Sequence, residues 1–280
     1  MPLYKKGIIL VCSLLCVWGT ARFCHHQTKG FRIEKIRGNT SPNPNQISVP
    51  ISTEHRNLLD QKFTYFGRGL QSFSFLGEDG ETVLKIFNNR YQKKIFWASW
   101  LPSKEERVAY LQKKLGMTFA SYQIAYEELR SESGLLYFHP RREGADLPPL
   151  QLIDPLGIAH TLDGNEVGFV LQKRATLVYP YLEACSEFEA KQAIEELVTL
   201  LKSKMERGIG DRDPLIRANV GFLNGRAMQI DVGPLYHDPS LQDEPKQKLE
   251  LEKAVLSLKH WLETHHPSMV SYLKDALENR

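Results

Sequence analysis

The chain has 280 residues, 42% hydrophobic and 25% charged, which excludes a disordered, collagenous or polytopic membrane protein and allows one large domain or two modest lobes. Its formal charge of +3 is unevenly placed: residues 1–40 hold seven Lys/Arg against one acid, Glu34, a net of +6 that leaves the remainder at −3. A slightly acidic body gives no reason to expect a nucleic-acid-binding face. Lys5 and Lys6 precede an uncharged apolar run, Gly7 to Ala21, so residues 1–24 read as a signal peptide or a membrane anchor. Gly19-Thr20-Ala21 offers small residues for cleavage, and cleavage would export the body. Five Lys/Arg within about 20 residues after the run favour instead an uncleaved anchor with the body in the cytoplasm.

Residues 25–51 read as a basic, Pro/Asn-rich linker, clearest from Gly38 to Pro50. The folded body, residues 52–280, is expected to begin near Ser52, with residues 1–50 adding nothing to its core. Cys185 is the single cysteine of that body, so no disulfide is expected there, and neither His25–His26 nor His265–His266 has further ligands at a metal-site spacing.

Within the body, Phe63–Phe66, Phe73–Leu76 and Glu81–Phe87 read as a three-stranded meander. Gly67-Arg68-Gly69-Leu70-Gln71-Ser72 forms its first connection and Gly77-Glu78-Asp79-Gly80 its second. Two helices are expected near 103–115 and 118–130, parted at Gly116. Strands follow at Leu135–His139, Gln151–Ile153, Ile158–Thr161 and Gly168–Lys173. Ser186 caps a long helix to about Arg207, with Ile194, Leu197, Val198, Leu201 and Met205 on one stripe. A loop from Ile209 to Asn219 leads to a hairpin, Val220–Leu223 and Ala227–Ile230, turned by Asn224-Gly225. Asp231-Val232-Gly233 and two tail helices, near 244–264 and 268–278, complete an α+β chain whose strand-rich half precedes its helical half.

Three pieces of this order suit phosphate chemistry. Glycines admit phosphates close to backbone amides, a strand lysine offers a fixed positive charge, and carboxylates in loops orient a hydroxyl or hold magnesium. The chain resembles the protein-kinase-like superfamily from Tyr65 to Gly233. Gly67-x-Gly69-x-x-Ser72 is similar to the glycine-rich phosphate loop, with Ser72 in place of the third glycine. Val83-Leu84-Lys85 is similar to the Val-Ala-Ile-Lys strand. Asp211-Arg212-Asp213 through Asn219 is similar to the catalytic loop, and Gln229-Ile230-Asp231-Val232-Gly233 to the strand entering Asp-Phe-Gly.

The resemblance implies a two-lobed fold with a β-rich N-lobe, about 60–173, and a reduced helical C-lobe, about 177–280. It further implies ATP and Mg²⁺ as cofactors. Gly67, Gly69, Ser72 and Lys85 would hold the nucleotide, Asp231 and Asn219 the metal, and Asp213 would serve as base. One of Glu105, Glu106, Glu127 and Glu128 would pair with Lys85, and Lys173–Thr176 would face adenine. Besides Ser72, the chain departs from the family pattern in three further ways. Five residues rather than four separate Asp213 from Asn219, Asp211 stands where histidine is usual, and no Ala-Pro-Glu follows Asp231. The expected function is phosphotransfer to an unidentified protein or small-molecule acceptor. The alternatives are a membrane-tethered pseudokinase that binds a nucleotide or protein without turnover, and an exported domain of unrelated α+β fold.

Overall fold

The computed structural model describes residues 3–37, 50–100, 102–140 and 146–278. Helix α1 (Leu3–Gln27) carries the apolar run with its large side chains exposed, and α2 (Thr53–Leu59) is capped by Ser52, whose hydroxyl accepts the His55 N–H. Strands β1 (Lys62–Arg68), β2 (Ser72–Gly77) and β3 (Thr82–Phe87) form the meander. Helices α3 (Arg90–Ser99) and α4 (Glu105–Glu128) follow, with the single turn α5 (Arg130–Ser133). Strand β4 (Leu135–His139), the hairpin β5 (Leu150–Ile153)–β6 (Ala159–Leu162) and β7 (Phe169–Lys173) complete a seven-stranded sheet. Its order is β4-β7-β3-β2-β1-β5-β6, and β1–β5 is the parallel pair in an otherwise antiparallel ladder.

Strand β8 (Thr176–Leu177) leads into the second lobe: α6 (Val178–Ala184), α7 (Glu187–Glu206), β9 (Ile209–Asp211), α8 (Ile216–Asn219), β10 (Val220–Leu223), β11 (Arg226–Gln229), β12 (Leu235–His237), α9 (Glu244–His265) and α10 (Ser268–Glu278). The fold is α+β in two lobes, a β-rich N-lobe and a small helical C-lobe.

Alternation along the central strands decides which side chains reach the cleft between the lobes. Leu84 and Ile86 of β3 and Phe169 and Leu171 of β7 join one core with Phe63 and Phe75. Phe87 and Val170, on the opposite face, meet Phe119 and Tyr122 of α4. Lys85 shares the parity of Phe87, so the period of two points it toward α4. The second core also takes in Ile209, Val232 and Leu235, and so cements the lobes around the Asp231-Val232-Gly233 stretch. In the C-lobe the stripe of α7 packs on α6, α9 and α10, and Ser186 and Glu189 close a reciprocal capping box at its start. The β10–β11 turn carries Asn224 at φ 51° and Gly225 at φ 79°, the left-handed pair that a two-residue hairpin loop requires.

Three sequence expectations are corrected. Helix α4 runs unbroken through Gly116, because Leu111, Leu115, Thr118, Phe119 and Tyr122 bury one continuous face and outweigh a glycine penalty of about 1 kcal/mol. Helix α3 was not foreseen. The segment 25–36 is not linker: α1 continues to Gln27, and after a three-residue turn Phe31 and Ile36 enter the N-lobe core, 2% and 0% exposed. Phe31 stacks edge-on against Phe73 and Phe75. Asn89 then latches the segment, its backbone N–H donating to the Lys35 carbonyl at 2.6 Å and its amide to the Glu34 and Arg37 carbonyls at 2.6 and 2.8 Å. Residues 1–50 therefore do contribute to the core. The rest of the expected linker, 38–49, lies outside the described residues.

Candidate active site

The cleft between the lobes is lined from above by the β1–β2 connection and from below by the loops around Asp213 and Asp231. One chamber, about 250 Å³, includes Gly67, Gly69, Ser72, Lys85, Lys173, Ala175 and Asp231. A second, about 180 Å³, shares Gly69, Ser72 and Asp231 and adds Tyr122 and Asp213. The residues singled out in sequence as loop, lysine and carboxylates thus meet in one place, across separations of up to 164 positions.

The β1–β2 loop is closed by the Gly69 N–H donating to the Ser72 carbonyl at 2.9 Å, beside a register shift between Tyr65 and Gly67. A Cβ at Gly67 would meet no protein atom, and Gly67 has no left-handed backbone angle. The fold itself therefore does not demand glycine there. What a side chain would occupy is open cleft.

Lys85 is half-buried in that cleft and donates to the Ile230 carbonyl. Burial pushes its ammonium pKa down, and the Asp231 carboxylate opposes the fall. None of the four candidate glutamates supplies its counter-charge. Glu127 accepts from Gln123, Glu128 pairs with His237 at 3.1 Å, and Glu105 and Glu106 lie in the first turn of α4. Where the resemblance places a helix glutamate, α4 presents Ser121 and Tyr122. The Tyr122 hydroxyl is hydrogen-bonded to Ser72, and burial together with the nearby Asp231 charge pushes its pKa up, so it stays a neutral phenol. Ser121 is fully buried; its Oγ contacts the Val232 and Gly233 carbonyls and accepts the Leu235 N–H at 2.7 Å. That one hydroxyl fixes the turn after Asp231, whose own Oδ1 accepts the Gly233 N–H at 3.2 Å.

On the lower side the extra residue between Asp213 and Asn219 is taken up by α8. Asp213 is exposed, and Asn219 is 5% exposed with its amide donating to the Asp213 carbonyl at 2.6 Å. The Asn219 carbonyl accepts the N–H groups of Ile230 and Asp231 at 2.8 and 3.2 Å, which ties the two acidic loops together.

Behind them lies a buried polar chain. Lys204 of α7, 4% exposed, donates to Gln229 Oε1 at 2.6 Å. Gln229 Nε2 donates to Asp211 Oδ2 at 3.1 Å and to the Asp231 carbonyl at 2.7 Å, and Asp211 Oδ1 accepts the Asp213 N–H at 2.9 Å. Burial raises the Asp211 pKa against the pull of Lys204, and it lowers that of Lys204 against the pull of Asp211. Tyr122, Ser121, Lys204 and Gln229 were not among the residues singled out in sequence. Lys204 had a readable signal: it falls seven residues after Leu197 and three after Leu201, inside the apolar stripe of α7.

No protein-family model matches the chain, and no curated protein matches it in sequence. Among solved structures it is similar to monomeric WbdD at 15% identity and TM-score 0.40, over 75% of this chain and 45% of that one. It is also similar to APH(2″)-IIa in its gentamicin complex, at 12% identity and TM-score 0.35, over 83% and 98% of the two chains. A third is WaaP in complex with acyl carrier protein, at 9% identity and TM-score 0.31, over 81% and 91%. The chain spans less than half the length of the WbdD structures. The two-lobed α+β fold rests on the chain's own strand order and on the cleft between its lobes.

Proposed function

We propose that the chain is an ATP- and Mg²⁺-dependent phosphotransferase, tethered to a membrane by α1 with its body in the cytoplasm. The observation that carries this reading is the placement of Lys85. An ammonium partly withdrawn from water is costly unless paired, and this one, half-buried, faces the single carboxylate Asp231 in a cleft roofed by a glycine loop. A polyphosphate with its metal would complete that charge arrangement, with Lys85 against the phosphates and Asp231, with the Asn219 side chain, toward the metal. Bound Mg·ATP would supply the transferable phosphoryl group and neutralise its developing charge.

The chain's own residues would do the rest. The amides of the Gly67–Ser72 loop other than Gly69, whose N–H is held by the Ser72 carbonyl, donate to phosphate oxygens. Tyr122 holds Ser72 and so fixes the loop's inner end. Asp213, exposed beside the second chamber, orients the acceptor hydroxyl and takes its proton. Lys173 and Ala175 line the first chamber where the base would sit.

The test is transfer of labelled phosphate by the full chain, with wild type and Asp213→Asn compared. Turnover lost in the variant with Mg·ATP affinity kept within about twofold would support the reading, since Asp213 would act only on the acceptor. A second reading, a pseudokinase that binds nucleotide without turnover, is favoured by the short path from Gly233 through β12 to α9, which leaves little chain to seat an acceptor. It predicts no transfer by the wild type and no effect of Asp213→Asn.

A further inference from the structure

A third cavity, about 650 Å³, opens on the other side of the glycine loop, and its lining is cationic. Arg32, Lys35, Arg68, Arg90 and Lys93 line it with Asn88 and Asn89, and no carboxylate is among the lining residues. The positive charges are packed closely enough to act on one another. The Lys35 pKa is pushed down first by burial and then by Arg32, Arg68 and Lys93. Nothing in the proposed phosphotransfer uses this cavity, although Gly69 and Leu70 line both it and the second chamber of the cleft.

Its position narrows what it takes. Gly30, on its rim, is the third residue after the end of α1, the one described helix long and apolar enough to cross a membrane. Gly30 sits at φ 73°, a left-handed angle that favours glycine, and the Arg68 guanidinium lies against it. Arg90 and Lys93 occupy the start of α3, and Trp97 and Trp100 follow on the same helical face at i+7 and i+10 from Arg90. Phe96, Trp97 and Trp100 are 53%, 69% and 70% exposed, and the Phe96 ring meets both tryptophans edge-on, 5.5 and 5.7 Å from their rings. The opposite face of α3, with Tyr91, Ile95 and Ala98, packs inward. A stripe of cations running into exposed tryptophans, next to an apolar helix, is the pattern of a helix lying at a lipid headgroup layer.

From this juxtaposition we propose that the cavity binds the phosphate-bearing headgroup of an anionic membrane lipid, with α3 seated in the interface. The shared chemistry is a phosphate anion, and the aromatic stripe and α1 assign it to lipid rather than to a soluble phosphate or an acidic protein.

The full chain in non-ionic detergent, studied by native mass spectrometry, tests this with dioleoyl-phosphatidylglycerol and dioleoyl-phosphatidylcholine as probes. Preferential retention of phosphatidylglycerol is expected, falling about fivefold per cation removed in Arg90→Gln/Lys93→Gln. Both residues are exposed, so the variant should keep the wild-type thermal transition. Trp97→Ser/Trp100→Ser should weaken retention of the lipid while leaving binding of inorganic phosphate unchanged. Equal retention of the two lipids, or undiminished retention by the Arg90/Lys93 variant, would overturn the proposal. Glycerol phosphate binding as tightly as the lipid would assign the cavity to a soluble ligand, and tighter binding of a poly-glutamate peptide would assign it to an acidic protein; either outcome also overturns it.

Discussion

Lys204 is the place where fold and site are most tightly coupled, and Lys204→Met is a near-isosteric way to cut the link. The ammonium is 4% exposed, donates to Gln229 at 2.6 Å and faces Asp211. Its removal leaves the half-buried Asp211 carboxylate without its nearest cation and Gln229 Oε1 without its donor, a defect that costs about 1–3 kcal/mol. For a body of this size that corresponds to a fall in Tm of about 2–12 °C, at about 2–4 °C per kcal/mol. Asp211 already has a raised pKa, and without Lys204 it rises further. A raised carboxyl pKa penalises the folded state above that pKa and relieves it below. The loss in Lys204→Met should therefore shrink as pH falls through the raised Asp211 value, and Lys204→Met/Asp211→Asn should recover much of it at neutral pH. Chemical denaturation of the wild type and the two variants at pH 8 and pH 5 reads both effects. A loss under about 1 kcal/mol, or one independent of pH, would show that the Lys204–Gln229–Asp211 chain does not hold the two acidic loops.

Three further outcomes follow from the packing. Ser121→Ala should lower stability by about 1–3 kcal/mol by leaving the Leu235 N–H unpaired, and should weaken Mg·ATP binding while Ser121→Thr retains part of it; melting curves and calorimetry check the pair. Phe31→Ala should cost about 3–5 kcal/mol, and a chain beginning at Ser52 should melt well below the full chain, because Phe31 and Ile36 fill the N-lobe core; equal melting temperatures would return this segment to linker. Lys246 and Ser240 hold the Asp238 pKa down to about 2, so its contribution is present above the unfolded value of 3.8 and is lost as pH falls toward 2. Asp238→Asn should then lower Tm at pH 6 and converge on wild type near pH 2, as read by melting curves across that range.

Much of the cleft was legible in the sequence because its parts are local patterns. Lys85 stands in an apolar strand whose alternation sets its face, and Asp231 ends a hairpin announced by Asn224-Gly225. The loop Gly67–Ser72 joins two short aromatic strands. What escaped depends on contacts between distant segments. Ser121 and Leu235 are 114 positions apart, and nothing local tells a serine on a buried helix face to seek that partner. Tyr122 takes the place where a glutamate was expected, because burial of α4 against Phe87 and Phe138 favours a ring that can still present a hydroxyl to Ser72. Phe31 and Ile36 were hidden by the charges around them: Arg32, Glu34, Lys35 and Arg37 dominate the local composition, while the apolar side chains between them turn inward, Phe31 and Ile36 fully and Ile33 in part.

The central claim is that Lys85 and Asp231 form one metal–nucleotide site. Calorimetry of Mg·ATP binding to the full chain, for wild type and Asp231→Asn and with Mg²⁺ then withheld, tests it most directly. The expected result is binding that depends on Mg²⁺ in the wild type and falls by at least about tenfold in Asp231→Asn, at an unchanged melting temperature, because the variant leaves the phosphates facing Lys85 without the metal's carboxylate. Equal affinity in the two proteins, or wild-type affinity indifferent to Mg²⁺, would contradict it.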